Sequence, residues 1–193
     1  MAPVARLCSR NEGKLRELRA ALPGWRIDLL DADAYPPEVG ATYYENALGK
    51  ARFGRERAEA GEWTIGEDSG IEVAGLGGRP GVHSARFGGE DPVGRLLSEV
   101  AGVDDRRARY VCELVALSPA GQELRGTGVL DGRIVDDPRG SEGFGYDPIF
   151  VPEGEEERTV AELGNGWKRG NSHRARAARA LSAAVETAMA RAS

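Results

Sequence analysis

The chain is organised around residues 63–89, which read WTIGEDSGIEVAGLGGRPGVHSARFGG. Residues 63–65 are typical of a β-strand, and two acids, Glu67 and Asp68, follow them closely. Ligands of open α/β sheets collect beyond the carboxyl ends of strands, so acids at such an end are candidates for chemistry. The flanking glycines also fit a polar turn between two strands. We therefore predict a strand that ends in these carboxylates, with a functional and a purely structural role both open.

Length and composition are those of a soluble globular protein. The chain has 193 residues, enough for a substantial core, and we expect residues 1–193 to form a single domain. A net charge of −5 without a basic block argues against binding to nucleic acid polymers. No apolar run approaches a membrane span, so we expect a cytoplasmic protein without membrane contact. Cys8 and Cys112 lie in apolar runs without metal-ligand spacing, which predicts buried thiols rather than a disulfide.

A strand, a polar loop and a helix follow one another at the start of the chain. Residues 4–8 are strand-like, and residues 9–14, SRNEGK, lead into an amphipathic helix. Ser9 or Asn11 is expected to cap this helix, and the free N–H groups of its first turn, with Lys14 nearby, form a natural phosphate seat. The glycine spacing of a Walker A loop is absent. An ordinary helix cap followed by a solvated lysine is the alternative.

The second predicted helix begins at a capping box. In residues 42–45, TYYE, Thr42 and Glu45 are placed to exchange hydrogen bonds with backbone N–H groups, so capping is the leading role of this glutamate. The helix is expected to run to about residue 59. Asn46 and Lys50, spaced i,i+4, fall on a common face and can point together into a cleft.

The central part of the chain predicts a mixed sheet. The apolar run of residues 107–118, RARYVCELVALS, is typical of an interior strand that is covered on both faces. A second strand is predicted around residues 123–130, and the pair Asp131-Gly132 fits a hairpin turn into residues 133–135. Consecutive strands joined by tight turns imply antiparallel pairing. The fold class is therefore α/β with a mixed sheet, and a purely parallel doubly wound sheet is disfavoured.

Two further segments place unusual residues together. In residues 143–148, GFGYDP, glycines frame Phe144 and Tyr146, which would stack on a base if exposed; a core-facing turn is the alternative. His173 and Arg174 stand at the predicted start of the last helix. Positive groups are unfavourable at a helix N-terminus, which indicates a partner anion.

Together these motifs resemble those of the inosine triphosphate pyrophosphatase family, whose members hydrolyse non-standard purine nucleoside triphosphates. The resemblance covers essentially the whole chain. Six motifs carry it: SRNEGK at 9–14, ENALGKA at 45–51, EDSGIEV at 67–73, GRPGVHSAR at 78–86, GFGYDPIF at 143–150 and SHRARA at 172–177. Each motif is weak alone, whereas six of them in this order are highly specific.

The resemblance implies a role for many residues of these motifs. It implies substrate binding by Ser9, Arg10, Asn11, Glu12, Gly13, Lys14 and Lys50, which contact or lie near the phosphates. It implies further substrate contacts by Ser69 and, around the base, by Phe144, Gly145, Tyr146, Asp147, Lys168, His173 and Arg174. It implies that Glu38 and Asp68 bind Mg²⁺, that Asp68 accepts a proton, and that Glu67 and Lys14 are also catalytic.

The resemblance also implies an elongated fold with flanking helices, two lobes around a central active-site cleft, and a homodimer. The implied activity is Mg²⁺-dependent hydrolysis of ITP, dITP and XTP to the monophosphate and pyrophosphate. A nucleotide sensor without turnover and a phosphatase that removes the γ-phosphate are the alternatives. The pair Glu67 and Asp68 favours an enzyme, because a pure binder of a polyanion gains little from acids beside the phosphates.

Base selection is predicted to depend on hydrogen-bond donors. Lys168 and Arg174 present only donors, and His173 can donate from either ring nitrogen. Such groups can donate hydrogen bonds to the 6-carbonyl of hypoxanthine and xanthine, whereas the 6-amino group of adenine would place a donor against donors. Phe144 and Tyr146 are expected to supply apolar and stacking walls.

Overall fold

The computed structural model describes residues 2–192, and within them it shows six strands and five α-helices. The strands are β1 (Val4–Leu7), β2 (Arg26–Leu29), β3 (Trp63–Val73), β4 (Arg107–Leu117), β5 (Glu123–Ile134) and β6 (Phe150–Pro152). The helices are α1 (Glu12–Ala21), α2 (Tyr43–Arg55), α3 (Pro92–Val100), α4 (Val160–Asn171) and α5 (His173–Ala192). The strands form one sheet in the order β2-β1-β3-β4-β5-β6.

The sheet is mixed, as the sequence predicted. β1 pairs in parallel with β2 and with β3, and Leu7 lies opposite Leu29 in one neighbour and Ile65 in the other. The pairing of β5 with β6 is antiparallel, and Ile134 lies opposite Phe150. The predicted α/β class with helices flanking a mixed sheet is therefore confirmed.

The chain divides into two compact units. Unit 1 comprises Met1–Asp68, Cys112–Gly128 and Arg174–Ser193, and unit 2 comprises Ser69–Val111 and Val129–His173. The largest core cluster of unit 1 includes Leu7, Leu18, Ile65, Leu114 and Leu181. The core cluster of unit 2 includes Ile71, Leu96, Leu130, Ile149 and Phe150. The single domain expected over residues 1–193 stays a prediction.

One prediction for the central stretch is wrong, because β3 does not end at the acid pair. The strand runs from Trp63 to Val73, so Glu67 and Asp68 lie inside it. Gly66 does not serve a turn either. A Cβ atom at this position would lie 1.8 Å from the carbonyl oxygen of Ala47 in α2. The glycine therefore allows α2 to pack directly on the strand, which brings side chains of α2 beside the acids.

Replacing Gly66 with a larger residue should push α2 away from β3. We expect Gly66→Ala to lower the free energy of unfolding by about 1–3 kcal/mol or more, because the added methyl group collides with backbone rather than with a mobile side chain. Gly49→Ala in α2 is the matched control, since a Cβ atom added at Gly49 would have no neighbouring atom within 4 Å outside the adjoining helix backbone. Alanine is the better helix former, so the control should be stabilised by about 0.5–1 kcal/mol. Urea unfolding of both variants measures the difference, and a Gly66→Ala protein as stable as the control would contradict the close packing.

The predicted hairpin turn at Asp131-Gly132 is also wrong. β5 continues through both residues to Ile134. A Cβ atom on Gly132 would lie 2.3 Å from the carbonyl oxygen of Val151 and 2.7 Å from the ring of Phe150. The glycine therefore permits the close approach of β6 and of its aromatic side chain.

The predicted helix caps are confirmed, although one helix was missed. Thr42 and Glu45 form the capping box of α2, which ends at Arg55, earlier than predicted. A second capping box, formed by Thr159 and Glu162, begins α4. The same sequence signal was present there, but a non-helical glycine inside α4 and the glycine-rich composition of the segment hide the periodicity.

Two further predictions concern a membrane-spanning helix and the state of the cysteine thiols. Within residues 2–192 no helix combines the length and the apolar character needed to cross a bilayer. Cys8 and Cys112 are both buried with free thiols, as predicted, and burial raises the pKa of Cys8 to about 12. Burial raises the pKa of Cys112 as well, so both thiols are protonated at neutral pH.

Candidate active site

The acid pair of β3 is the centre of a buried ionic network in unit 1. Glu67 is 0% exposed and Asp68 is 3% exposed. Successive side chains of a strand point to opposite faces, so the two acids have different neighbours. The network, here named the carboxylate cluster, consists of Lys14, Glu17, Glu38, Asn46, Lys50, Glu67, Asp68 and Arg174.

Asp68 is held by two side chains of α2. Asn46 Nδ2 donates to its Oδ2 at 3.1 Å, and Lys50 Nζ donates to its Oδ1 at 3.0 Å. The predicted common face of these two residues is therefore confirmed. Burial raises the pKa of Asp68 above its ordinary value, although Lys50 and Asn46 act in the opposite direction. The result is an oriented carboxylate whose affinity for a proton is increased.

Lys50 also joins this aspartate to a second acid. Its ammonium lies 2.5 Å from Glu38 Oε1 and donates to the carbonyl oxygen of Glu67 at 2.9 Å. Burial lowers the pKa of Lys50, but the charges of Asp68, Glu67 and Glu38 outweigh burial and raise it. The lysine is therefore positively charged between two carboxylates.

Glu67 is paired with cations from two helices. Lys14 Nζ lies 2.5 Å from its Oε2, and Arg174 donates to its Oε1 from Nε at 3.1 Å and from Nη2 at 2.9 Å. Arg174 Nη1 also contacts Glu17 Oε2 at 2.5 Å. Burial acts to raise the pKa of Glu67, but Lys14, Arg174 and Lys50 together hold it well below its usual range. This glutamate is therefore ionised at neutral pH.

The partner anion predicted for the start of the last helix is, for Arg174, a pair of carboxylates that the sequence did not identify. The guanidinium of Arg174 is 1% exposed and lies between two carboxylates within unit 1, whereas His173, the preceding residue, belongs to unit 2. The charge of Arg174 balances that of Glu67. Its predicted contact with the base stays a prediction.

The predicted phosphate loop follows β1 and is locally ordered by its own side chains. Asn11 caps α1 by accepting a hydrogen bond from the backbone N–H of Lys14 at 3.1 Å, and the Ser9 hydroxyl accepts from the backbone N–H of Asn11 at 3.1 Å. Arg10 donates to the carbonyl oxygen of Asp33. Glu12 and Gly13 lie in the first turn of α1. Lys14 connects this loop to the carboxylate cluster.

A second group of predicted residues surrounds Asp147 in unit 2. The carboxylate, which is buried, accepts hydrogen bonds from Lys168 Nζ at 2.7 Å and from the backbone N–H of Phe144 at 2.8 Å, both at Oδ2. The ammonium of Lys168 also lies 4.5 Å from the centroid of the Phe144 ring. We name Tyr110, Phe144, Asp147, Lys168 and His173 the Asp147 cluster.

The two aromatic residues of the glycine-rich loop have different surroundings. Phe144 is 36% exposed, so its ring is accessible for stacking. Tyr146 is buried, and its hydroxyl donates to the carbonyl oxygen of Ser84 at 3.1 Å. Burial raises the pKa of Tyr146 to about 12. Gly145 between them adopts a positive φ of 64°, which turns the chain, and Ser69 lies half-buried after the acid pair.

Two members of these clusters, one in each, were not predicted from the sequence. Glu17 reaches Arg174, and its only local signal is its position one helical turn after Lys14. Tyr110 donates its hydroxyl to Asp147 Oδ1 at 3.3 Å and stacks on His173. No local signal marks this tyrosine, because it lies in an apolar strand run.

The carboxylates fit magnesium when the phosphates of a nucleotide complete its coordination. Glu38 Oε1 and Asp68 Oδ1 both contact the same ammonium, that of Lys50, so their oxygens converge on one cationic position. No group of three or more acidic, histidine or cysteine side chains suited to a metal occurs among the described residues. Mg²⁺ commonly takes one or two protein carboxylates together with substrate phosphates. Two converging carboxylates match that requirement.

The fold and the site together define an α/β protein whose buried charges suit the chemistry of phosphate groups. The fold is a mixed α/β sheet, and its central strand carries a buried pair of acids surrounded by lysine and arginine, which suits reactions of phosphate groups. The model of the Ham1 family matches residues 5–184, and the chain belongs to this family. The family resemblance predicted from the six motifs is therefore confirmed.

Curated relatives match over most of their length. The dITP/XTP pyrophosphatase of Gloeobacter violaceus is 46% identical over 181 residues, which cover 91% of this chain and 90% of the relative. That of Symbiobacterium thermophilum is 47% identical over 179 residues, 89% of each chain.

Solved structures of the family share the fold. The Staphylococcus aureus Ham1 protein has a TM-score of 0.82 and 32% identity, over 96% of this chain and 99% of that one. A nucleoside-triphosphatase, or dITP/XTP pyrophosphatase, from Mycobacterium abscessus has a TM-score of 0.70 and 36% identity, over 93% of this chain and 96% of that one.

Proposed function

We propose that this protein hydrolyses the non-standard purine nucleoside triphosphates dITP, XTP and ITP to the monophosphate and pyrophosphate. The observation that carries the proposal is that relatives named dITP/XTP pyrophosphatase match about nine-tenths of the chain at 46% and 47% identity. The carboxylate cluster supplies the chemical groups that this reaction needs. The biological role would be to cleanse the nucleotide pool.

The reaction adds water at the α-phosphorus. The bond from this phosphorus to the oxygen that bridges to the β-phosphate breaks, and pyrophosphate leaves. Asp68 accepts the proton of the attacking water, since it is held in place by Asn46 and Lys50 and its pKa is raised by burial. Lys14 and Lys50 stabilise the negative charge that develops on the leaving pyrophosphate. Ionised Glu67 keeps Lys14 in position.

We propose Mg²⁺ as the cofactor, held by Glu38 and Asp68 together with substrate phosphates. Bound magnesium would neutralise phosphate charge and lower the pKa of a bound water. The two carboxylates that converge on the Lys50 ammonium support this assignment. Turnover is expected to stop in chelator and to return on addition of Mg²⁺.

Selection of the base is assigned to the Asp147 cluster. Lys168 and His173 present donors for the 6-carbonyl of hypoxanthine or xanthine, and the exposed ring of Phe144 offers a stacking surface. An adenine 6-amino group would leave a donor unpaired, which costs about 1–3 kcal/mol and corresponds to rejection of ATP by roughly one to two orders of magnitude.

Pyrophosphate release across a panel of nucleotides tests the function. The protein is expected to release pyrophosphate from dITP, XTP and ITP with a higher kcat/KM than from ATP. Release of phosphate instead would identify a phosphatase that removes the γ-phosphate. Tight nucleotide binding without either product would identify a sensor, and equal rates for ATP and ITP would contradict the selection by donors.

Lys14 offers a test of the phosphate contacts. We expect Lys14→Ala to weaken binding of a non-hydrolysable dITP analogue by about tenfold or more while binding of deoxyinosine hardly changes, because the part of the ligand that the lost charge attracts is the phosphate chain. Arg16→Ala, which removes an exposed cation from the same helix, is the control and should leave both affinities unchanged. Calorimetric titration measures them. Equal weakening of both ligands by Lys14→Ala would show that this lysine does not recognise phosphate.

We further propose that the protein is a homodimer in the cytoplasm. The dimer is supported by the family resemblance, and the location by the nature of the substrates and by the two free, buried thiols. Sedimentation equilibrium at micromolar concentration tests the oligomeric state.

A further inference from the structure

Tyr110 lies where the parts of the Asp147 cluster meet. It belongs to β4 and is buried within unit 2. Its ring is stacked on the imidazole of His173, with centroids 4.6 Å apart and an angle of 11° between the planes. The ring of Phe150 also lies beside it, with centroids 4.5 Å apart. A buried aromatic side chain thus forms the support on which the imidazole rests.

The hydroxyl of the same tyrosine reaches the second donor indirectly. It donates to Asp147 Oδ1 at 3.3 Å, while Lys168 Nζ donates to Oδ2 of that carboxylate at 2.7 Å. The backbone N–H of Phe144 also donates to Oδ2, at 2.8 Å. The carboxylate therefore links the hydroxyl of Tyr110 to the ammonium of Lys168 and to the loop that carries the Phe144 ring.

These contacts restrict the orientation of both donors. A ring stacked nearly parallel to an imidazole limits the rotation of that imidazole, and therefore the direction in which its N–H bonds point. A carboxylate with hydrogen bonds at both oxygens is limited in the same way, and so is the ammonium bound to it. Recognition of a single carbonyl depends on such directions, because hydrogen bonds weaken steeply when they are misaligned.

We propose that Tyr110 is a positioning residue for base selection: its ring orients His173, and its hydroxyl orients Lys168 through Asp147. This inference rests on the proposed function, since it assigns the two donors to the purine 6-carbonyl. Tyr110 acts through its neighbours and needs no contact with the nucleotide.

Two substitutions separate the ring from the hydroxyl. Tyr110→Phe keeps the stacked ring and removes the bond to Asp147, so the ratio of kcat/KM for dITP over dATP should fall about threefold. Tyr110→Leu removes both contacts and should lower the ratio about tenfold or more. Both losses should appear in KM for dITP with kcat largely retained, because the Asp147 cluster does not act on the reacting phosphorus.

The chain offers a matched control and a direct spectroscopic readout. Tyr44→Phe removes a tyrosine–carboxylate hydrogen bond of 2.7 Å, to exposed Glu123 in unit 1, and should leave the ratio unchanged. Only two histidines occur in the sequence, so their imidazole proton resonances are readily assigned by NMR. Tyr110→Phe should retain the ring-current shift of His173, and Tyr110→Leu should abolish it.

The outcomes are distinct. A folded Tyr110→Leu protein with the dITP preference of the wild type overturns the inference, even if the His173 resonance moves. Should Tyr110→Leu fail to fold, Tyr110→Phe decides, and an unchanged ratio overturns the inference. A wild-type protein without preference for dITP would overturn the proposed function as well, and this result is visible before any variant is made.

Discussion

Asp68→Asn is expected to lower kcat for dITP by about 10²–10⁴, because the amide cannot accept the proton of the attacking water. The substitution is nearly isosteric, and Lys50 can still donate to the amide oxygen, whereas the new NH2 group faces the Nδ2 donor of Asn46 and that single hydrogen bond is lost. The fold should therefore be retained, and thermal unfolding of the variant should resemble that of the wild type. Initial rates of pyrophosphate release at saturating Mg²⁺ measure the effect.

A surface aspartate of the same unit provides the control. Asp28 lies in β2 and pairs with the exposed side chain of Arg19 at 2.5 Å. Asp28→Asn removes an acid of equal charge from unit 1 and should leave turnover unchanged. If Asp68→Asn turned over dITP as fast as this control does, the catalytic assignment of Asp68 would have to be abandoned.

Arg174→Met is expected to lower the free energy of unfolding by about 3–5 kcal/mol, because it leaves a buried carboxylate without one of its cationic partners. Arg174 makes two hydrogen bonds to Glu67, which is fully buried, and a third contact to Glu17. The double variant Arg174→Met/Glu67→Gln should recover much of this loss, since no uncompensated charge remains on β3. Chemical unfolding in the presence of chelator measures the free energy of unfolding of the wild type and of both variants.

An exposed ion pair shows what the same substitution costs at the surface. Arg95 pairs with Glu99 at 2.9 Å on α3, and Arg95→Met should change the free energy of unfolding by about 0.5 kcal/mol or less. A loss no larger than this in Arg174→Met would mean that Arg174 does not stabilise the buried glutamate.

The dependence of stability on pH tests the ionised state of Glu67 with Arg174 left in place. The folded-state pKa of Glu67 is lowered, so the stability that its ionisation contributes is present above the unfolded-state pKa of about 4.3 and is lost as pH falls through the folded-state value. Wild-type stability should therefore decline in acid below about pH 4. Glu67→Gln should show a shallower decline over the same range, and parallel curves for the two proteins would contradict the assignment.

The sequence alone was sufficient for features that depend on neighbouring residues. The capping box of Thr42 and Glu45 follows from local hydrogen bonds, and the interior strand β4 follows from a continuous apolar run. The six motifs identified the family in the same way, since each is a short contiguous stretch. The common face of Asn46 and Lys50 also follows from helical spacing, and both contact Asp68.

Only the tertiary structure decided what the glycines and the buried charges do. A glycine serves equally well in a turn and in a close approach, so Gly66 and Gly132 could not be assigned until α2 and β6 were seen packed against them. Arg174 and Glu67 are separated by 107 positions in the chain, and no local pattern predicts their pairing. The contacts of Tyr110 with His173 and Asp147 likewise join distant segments. A sequence shows which groups can ionise or stack, but their partners are determined by packing, because contact in a folded chain does not follow sequence separation.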